Sequence, residues 1–265
     1  MTYRLAIVIA FIYVIPCHAQ LMTTLSPKAN SAFEQYDAKV RVELQQRWQG
    51  QRSYLWLDEH PQEKKSVHGG QSVVHPMADD GSVTVPDGIL CDWLGAMFVP
   101  GVKVDQVVLV LEDFNKHKEY YPEVMASRTI EHNGNTVRGH WRLRKKSAIT
   151  VVLDADITAR YSQDKPGDWH GESASASVSE IEDAGTAKEH KLPSGQGHGF
   201  LWRFTAYWTL EQAPDGVYAE CRTLSLSRTV PMGLGWAVQP FIKNMPRESL
   251  LSTLQGTRKA VMQAH

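Results

Sequence analysis

The sequence predicts an α+β fold in which a curved antiparallel β-sheet grips one long C-terminal helix, with a helical extension at the N-terminus. Two observations carry this prediction: six strand-like segments follow one another between residues 123 and 228, and a long amphipathic segment, Pro246–Gln263, comes after them. An antiparallel run usually buries one face against another layer, and the late helix is the expected cover. A curved sheet closed over one helix encloses a concave, mostly apolar interior, which is the usual setting of a small-molecule site.

The composition is that of an ordinary globular protein. Hydrophobic residues make up 42% and charged residues 22% of the 265 residues, and the net charge is −1. A general nucleic-acid binder or a binder of anionic membranes needs a basic excess, which this chain lacks. We therefore expect no nucleic-acid partner.

Residues 1–19 have the three-part pattern of a signal peptide. Arg4 provides the positive start, Leu5–Ile15 is an apolar run, and Cys17 and Ala19 stand three and one positions before the expected cut. The run is too short to span a bilayer comfortably. We expect cleavage after Ala19, a periplasmic or secreted mature protein, and no permanent membrane anchor.

Cys91 and Cys221 remain after such a cleavage. Export leads to an oxidising compartment, so a single disulfide fits the sequence, and so do two small buried apolar residues; spacing does not decide between them. The spacing of His60, His68 and His75 matches no metal-binding arrangement, and the cysteines form no metal-type pair. No metal and no other cofactor is expected.

Residues 20–82 are predicted to form an N-terminal helical extension and linker. A helix begins at Ser26 and Pro27, which suit a cap and a first turn. Its apolar residues recur at helical spacing as far as Trp48, and we expect this stripe to dock on the main domain. The other surface of the extension is a candidate contact for a protein partner.

The rest of the extension is predicted to be largely irregular. Ser53–Asp58 is a short strand candidate. Residues 59–82 show no periodic spacing of apolar residues and are predicted to form a loop.

The main domain, residues 83–265, contains the sheet. A strand over Ile89–Val99 precedes a short helical segment, Lys103–Tyr121, which ends because Pro122 disfavours helix in the residue before it. The later strands are expected at residues 123–132, 136–145, 149–161, 167–181, 199–211 and 216–228.

The hairpin of residues 136–161 allows a prediction of register. Directly opposed residues share a face of the sheet. In this hairpin, a loop of odd length places polar residues opposite polar residues and apolar residues opposite apolar ones. With Lys145 opposite Ile149, the polar row of one strand meets the acidic row of the next. The expected pairs are Arg138 with Asp156, His140 with Asp154, and Trp141 with Leu153.

Aromatic residues concentrate on the strands nearest the last helix in sequence. Alternate residues of a curved sheet face its interior, so we expect some of these rings to line a cavity, Trp202 and Trp208 above all. Glu220 alternates on the same face as Arg222; an inward carboxylate would orient a headgroup or act as an acid, whereas an outward one would be solvated. The candidate ligand-binding residues are Trp141, Trp202, Phe204, Tyr207, Trp208, Glu220 and Arg222.

The segment Val104–Pro122, the strand run and the terminal helix together resemble the START-like superfamily, also called SRPBCC or helix-grip. The resemblance covers residues 83–263, and the chain looks most like exported bacterial members of undefined role. It implies the predicted fold and a hydrophobic ligand, because the group includes lipid-transfer domains, pollen-allergen-like carriers and polyketide cyclases or aromatases. The matching patterns are architectural and carry no catalytic motif.

Three functions fit these observations. The first is a non-enzymatic, exported carrier that holds a lipid or another hydrophobic small molecule between sheet and helix. The second is a cyclase-like or hydrolase-like enzyme with the same cavity, in which titratable groups such as Glu220, Arg222 or His140 would converge. The third is an interaction module whose interior is filled by side chains. Cavity volume separates the third from the others, because ligand pockets measure about 300–1,000 Å³.

Overall fold

The computed structural model describes residues 22–146, 150–229 and 235–263, and in residues 235–243 it describes the backbone only. The expected signal peptide and its cleavage site lie outside the described residues, as does the turn at residues 147–149. In the part of the chain that is described, no helix combines the length and the apolar character that crossing a bilayer requires.

The chain contains five α-helices and twelve strands in these described segments. The helices are α1 (Pro27–Trp48), α2 (Pro61–His68), α3 (Val104–Glu112), α4 (His117–Tyr120) and α5 (Gly235–Gln263), with a 3₁₀ turn at Trp56–Glu59. The strands are β1 (Thr23–Thr24), β2 (Val73–Pro76), β3 (Ser82–Val85), β4 (Gly88–Pro100), β5 (Val124–Asn133), β6 (Thr136–Lys146), β7 (Thr150–Lys165), β8 (Asp168–Glu182), β9 (His190–Lys191), β10 (Gln196–Gly197), β11 (Arg203–Ala213) and β12 (Gly216–Arg228).

Ten of the strands form one antiparallel sheet in the order β2-β4-β12-β11-β8-β7-β6-β5, with β3 also on β4 and β9 on β8. β1 and β10 pair separately. The sheet curves around α5, so the predicted α+β class and the helix-grip architecture are confirmed.

One face of the sheet, here called the inner face, is turned toward α3 and α5. Gly95 of β4 lies where α5 crosses the sheet, and a Cβ atom built there would stand 2.7 Å from Leu254 Cδ1. Only a residue without a side chain lets the helix approach this closely. The inner face therefore buries Leu250 and Leu254 against the strands.

The opposite, outer face is covered by the N-terminal extension. Ser26 caps α1 by accepting a hydrogen bond from Ala29 N at 3.1 Å, as its sequence predicts. The apolar stripe of α1 then buries Phe33 and Leu44 against Leu224 and other residues of the sheet. Part of the sheet is consequently buried on both faces, which explains why nearly every residue of β4 is inaccessible to solvent.

Two predictions for the extension are wrong. The strand expected at Ser53–Asp58 is absent from the structure, which has bends followed by the 3₁₀ turn, because Trp56 N and Leu57 N donate to Glu220 across the outer face and to no ladder. The loop expected at residues 59–82 contains α2 and β2. Proline begins α2, and β2 gains its ladder from β4, a partner that the local sequence does not show.

The hairpin register differs from the predicted one. The odd loop length and the faces are as expected, but each residue of β6 meets a partner two positions further along β7. The observed pairs are Arg138 with Thr158, His140 with Asp156, Trp141 with Ala155, Arg142 with Asp154, and Lys145 with Val151. Both registers oppose unlike charges; the one adopted places His140 Nδ1 2.8 Å from Asp156 Oδ1 and Arg142 Nε 2.8 Å from Asp154 Oδ1.

Two helical boundaries also differ. The segment expected as one helix before Pro122 is divided into α3 and α4, and α5 begins at Gly235, before the predicted start at Pro246. Proline adopts the helical φ angle and suits a first turn, but the same φ angle also occurs inside a helix at the cost of one hydrogen bond. The proline signal therefore did not locate the helix start.

Cys91 and Cys221 lie on the inner face of neighbouring strands without a bridge between them. Cys91 is opposite Ser225, four ladder positions from Cys221. Four positions along a strand separate Cα atoms by roughly 13 Å, well beyond the ~7 Å limit for a disulfide. Both side chains are packed in the apolar core.

Candidate functional site

A cavity of about 260 Å³ lies on the inner face, between α5 and the strands. Its apolar wall includes Trp141 of β6, Leu153 of β7, Phe204 and Trp208 of β11, and Leu250 of α5. α5 packs mainly against β4, and the cavity lies between this helix and residues of β6, β7 and β11. Its volume lies just below the ~300–1,000 Å³ typical of small-molecule pockets.

One end of the wall is built around Gly139. Phe114 packs on this glycine so closely that a Cβ atom there would lie 1.9 Å from the ring. Phe114 in turn contacts Trp141 at a ring separation of 5.6 Å, and Trp141 is stacked with Phe204 at 6.3 Å. The result is a continuous aromatic surface along the cavity.

His117 fixes the position of Trp141. The indole Nε1 donates to His117 Nδ1 at 3.0 Å, and the other ring nitrogen, Nε2, lies 3.2 Å from Val110 O. This arrangement requires a neutral imidazole with its proton on Nε2. Burial lowers the pKa of His117 to about 4, which favours the same form. With both nitrogens engaged, this histidine positions the wall and has no lone pair to offer a substrate.

The other titratable groups deep in the cavity are also held neutral. Burial raises the pKa of the Tyr121 and Tyr161 hydroxyls and of the Cys221 thiol. Tyr121 is hydrogen-bonded to Thr257 of α5 at 3.0 Å, so it joins α5 to the end of α4. A nucleophilic cysteine needs a lowered pKa, and Cys221 has the opposite. The interior favours binding of an apolar group over acid–base chemistry.

Charged side chains meet at the mouth of the cavity. Lys145 of β6 forms an ion pair with Glu123, and its Nζ donates to Ser249 Oγ of α5 at 3.0 Å. Ser249 Oγ donates to the second Glu123 oxygen at 3.0 Å. Arg144 completes the set of charged residues that line the cavity in the described part of the chain.

The structure places three of the seven predicted ligand-binding residues in the cavity wall: Trp141, Phe204 and Trp208. The other four, Trp202, Tyr207, Glu220 and Arg222, lie on the outer face and do not line the cavity. An inward position was expected of Trp202, and for Glu220 and Arg222 the sequence left both faces open.

Trp202 and Tyr207 pack in the apolar cluster beneath α1. Tyr207 belongs to the alternate row of β11 and donates to Asp37 of α1 at 2.7 Å. Trp202 was expected in the row of Phe204, but β11 begins only at Arg203, and Trp202 N donates to Leu226 O at 2.7 Å from outside the regular strand. The alternation breaks there, and the ring turns to the outer face.

Glu220 and Arg222 bind the N-terminal extension. Glu220 accepts hydrogen bonds from Trp56 N at 3.0 Å and Leu57 N at 2.8 Å. Burial raises the pKa of Glu220 to about 7 despite these two bonds. Neither residue is available to orient a headgroup inside the cavity.

Arg222 is the centre of a buried ion pair with Asp92, through bonds of 3.0 Å and 2.7 Å. Glu43 of α1 accepts a third bond at 2.9 Å, and Tyr36 of α1 donates to Asp92 at 3.0 Å. Burial raises the pKa of Tyr36 to about 12, with the Asp92 charge adding to the effect. This network attaches α1 to the sheet.

Sequence reasoning missed His117 and the Glu123–Lys145–Ser249 cluster. A single histidine in a short helical segment gives no motif. The three members of the cluster stand far apart in sequence, although the alternation of β6 already places Lys145 in the row of Trp141. In the described residues, no group of three or more His, Cys, Asp and Glu side chains is arranged to hold a metal ion.

No protein-family model and no curated protein matches the sequence. Among solved structures, similarity is found to TTHA0849 from Thermus thermophilus, with 15% identity over 64% of this chain and 97% of that one, at a TM-score of 0.47. A STAR-related lipid transfer protein fragment from Xanthomonas axonopodis has 18% identity over 72% of this chain and 98% of that one, at a TM-score of 0.47. Human STARD10 has 11% identity over 71% of this chain and 76% of that one, at a TM-score of 0.45.

These similarities are distant, and none carries an argument about what this chain binds. The helix-grip fold follows from the order of the chain's own strands around α5. Any conclusion about the ligand depends on the cavity itself.

Proposed function

We propose that the chain is an exported, non-enzymatic binding protein that carries a hydrophobic small molecule or a lipid between α5 and the sheet. The observation that carries the proposal is the cavity between α5 and the sheet, whose wall is mostly aromatic and aliphatic. Export is proposed from the signal-peptide pattern of residues 1–19.

A carrier is favoured over a cyclase or hydrolase by the state of the titratable groups. His117 has both nitrogens bonded, and the buried Tyr121, Tyr161 and Cys221 are neutral. Catalysis of proton transfer needs a group with a pKa near the working pH and a free lone pair or proton. Glu220, the one predicted acid with such a pKa, is on the outer face.

A filled interaction module is disfavoured by the cavity, although its modest volume limits the ligand to a small one, such as a single acyl or isoprenyl chain. A protein partner for residues 20–82 stays a prediction. Because the apolar stripe of α1 is covered by the sheet, such a partner would have to contact the polar side of this helix.

Trp141 and Trp208 line the cavity, so binding can be followed by tryptophan fluorescence. Fatty acids, fatty alcohols, isoprenoids and sterols should be titrated, and the melting temperature should rise with the concentration of any ligand that binds only the folded state. Native mass spectrometry of protein purified from its own compartment would detect a bound molecule directly.

Ala206→Phe supplies a cavity-blocking variant, because Ala206 lies between Phe204 and Trp208 in the inward row of β11. Its matched control is Val42→Phe, at a position on α1 that is 56% exposed. Binding that is lost in Ala206→Phe and kept in Val42→Phe supports the proposal. Absence of any fluorescence change, thermal shift or bound molecule across the panel would refute it.

A further inference from the structure

The cluster at the cavity mouth has the chemistry of a carboxylate receptor that holds a carboxylate of the protein itself. Lys145 Nζ and Ser249 Oγ both donate to the carboxylate of Glu123, one to each oxygen. The two donors come from different elements, β6 and α5, and meet at the point where the apolar wall ends. An ammonium and a hydroxyl that converge in this way match the two oxygens of a carboxylate.

Lys145 belongs to the inward row of its strand. Gly139, Trp141 and Leu143 occupy the preceding positions of that row, and all three face the interior. The ammonium is therefore held at the end of an apolar wall, with its side chain only 19% exposed. A cation in this position is costly unless it is paired, so the site demands an anionic partner.

The balance of charge at the mouth favours an anion from outside. Of the residues that line the cavity in the described part of the chain, Arg144 and Lys145 are positive and Glu123 is negative, while His117 is neutral. Glu123 is the more exposed member of the pair, at 28%. Its carboxylate can move into water when another carboxylate takes its place on Lys145 and Ser249, because the ammonium then stays paired.

We propose that the cavity selects a single-chain amphiphile with a carboxylate headgroup, and that Glu123 is an internal competitor which this headgroup displaces from Lys145 and Ser249. This inference rests on the proposed carrier function and adds the class of ligand. The apolar tail lies along Trp141 and Phe204, and the headgroup takes the two donors at the mouth. The small volume of the cavity fits one tail better than two.

The test compares laurate with lauryl alcohol, which has the same tail without the charge. Their affinities should be measured by tryptophan fluorescence and by calorimetry for the wild-type chain and three variants. Lys145→Met removes the cation, Glu123→Gln removes the competing charge, and Lys146→Gln is the control. Lys146 is an exposed neighbour outside the cavity lining, and its substitution makes the same change in net charge as Lys145→Met.

We expect the wild-type chain to bind laurate about tenfold or more tightly than the alcohol, because a charge-assisted hydrogen bond is added. Lys145→Met should abolish this preference by weakening laurate binding alone. Glu123→Gln should strengthen laurate binding several-fold and leave the alcohol unchanged, and Lys146→Gln should change neither. The opposite signs of the first two variants exclude a general loss of folding as the explanation.

Equal affinity of the wild-type chain for laurate and the alcohol would overturn the headgroup assignment and leave the carrier function standing. The same conclusion would follow if Lys145→Met weakened both ligands equally. If neither ligand binds and the whole ligand panel is also negative, the carrier function itself fails, and this inference fails with it.

Discussion

The two faces of the sheet are covered to different extents. The outer face is filled: α1, the 3₁₀ turn and α2 cover it, and side chains such as Phe33 and Leu57 have almost no exposure. The inner face is covered by α3 and α5 only in part, and a cavity of about 260 Å³ remains under α5. The outer face is therefore packed throughout, whereas the inner face carries the larger apolar cluster and still leaves part of its volume unfilled.

The two faces also differ in where they place charged groups. On the outer face, Asp92 and Arg222 form a buried ion pair that attaches the extension. On the inner face, the interior groups are neutral, and charge is confined to the mouth around Lys145 and Glu123. A buried ion pair holds a geometry, whereas a partly exposed pair can be exchanged for a ligand.

The largest contrast is expected from one truncation on each face. Phe33→Ala should lower the free energy of unfolding by about 3–5 kcal/mol, because it opens a void in a filled layer. Phe204→Ala, in the partly exposed cavity wall, should cost only about 1–2 kcal/mol. Urea denaturation followed by circular dichroism measures both values. Equal costs would mean that the two faces are equally packed.

Breaking the buried ion pair should be nearly as costly. Asp92→Ala leaves the Arg222 guanidinium buried with Glu43 as its remaining carboxylate, and we expect a loss of about 3 kcal/mol in the same denaturation experiment. Ligand affinity should be unchanged, since neither residue lines the cavity. A loss of less than about 1 kcal/mol, the value of an exposed pair, would show that the network contributes little to attachment of α1.

The two faces should also respond to pH in opposite directions. Glu220 has a pKa raised to about 7 from an ordinary 4.5, so its contribution to stability is complete below pH 4.5 and is lost as the pH rises through 7. His117 has a pKa lowered to about 4 from 6.5, so its contribution is complete above pH 6.5 and is lost as the pH falls through 4. Each shift corresponds to about 3 kcal/mol.

The variants Glu220→Gln and His117→Gln isolate these contributions. Stability measured between acid and mildly alkaline pH should fall less steeply with rising pH in Glu220→Gln than in the wild-type chain. In His117→Gln the loss at acid pH should be reduced. Curves that stay parallel to that of the wild-type chain would contradict the assigned protonation states.

The smallest effect is expected at an exposed ion pair of the uncovered part of the sheet. Arg138 and Glu131 lie 3.2 Å apart, and both side chains are more than half exposed. A double-mutant cycle with Arg138→Gln and Glu131→Gln should give a coupling energy of about 0.2–1 kcal/mol, and less in high salt. A coupling as large as that of the Asp92–Arg222 pair would remove the distinction between covered and uncovered surface.

The local sequence located most of the sheet because alternation and turn residues are local signals. The strands between residues 123 and 228 were predicted close to their observed bounds, and so was the α1 stripe. The hairpin register was not, since two registers that differ by two positions give the same faces and oppose similar charges. Trp202 was misplaced because alternation holds only inside a continuous strand.

The cavity wall was predicted in part, since the inward row of Phe204 and Trp208 can be counted along one strand. Glu220 and Arg222 could not be placed in this way. Their row faces outward, but the N-terminal extension covers it, and only that tertiary contact turns an exposed row into a buried one.

The sequence by itself determined the fold class, which residues of a continuous strand share a row, and the chance of an apolar cavity, because these depend on periodicity along the chain. Only the tertiary structure decided which face holds the cavity and which holds the extension. It also brought Glu123, Lys145 and Ser249 to one mouth and joined Trp141 to His117. Such groupings join residues more than twenty positions apart, and no local pattern of side chains encodes which distant partners will meet.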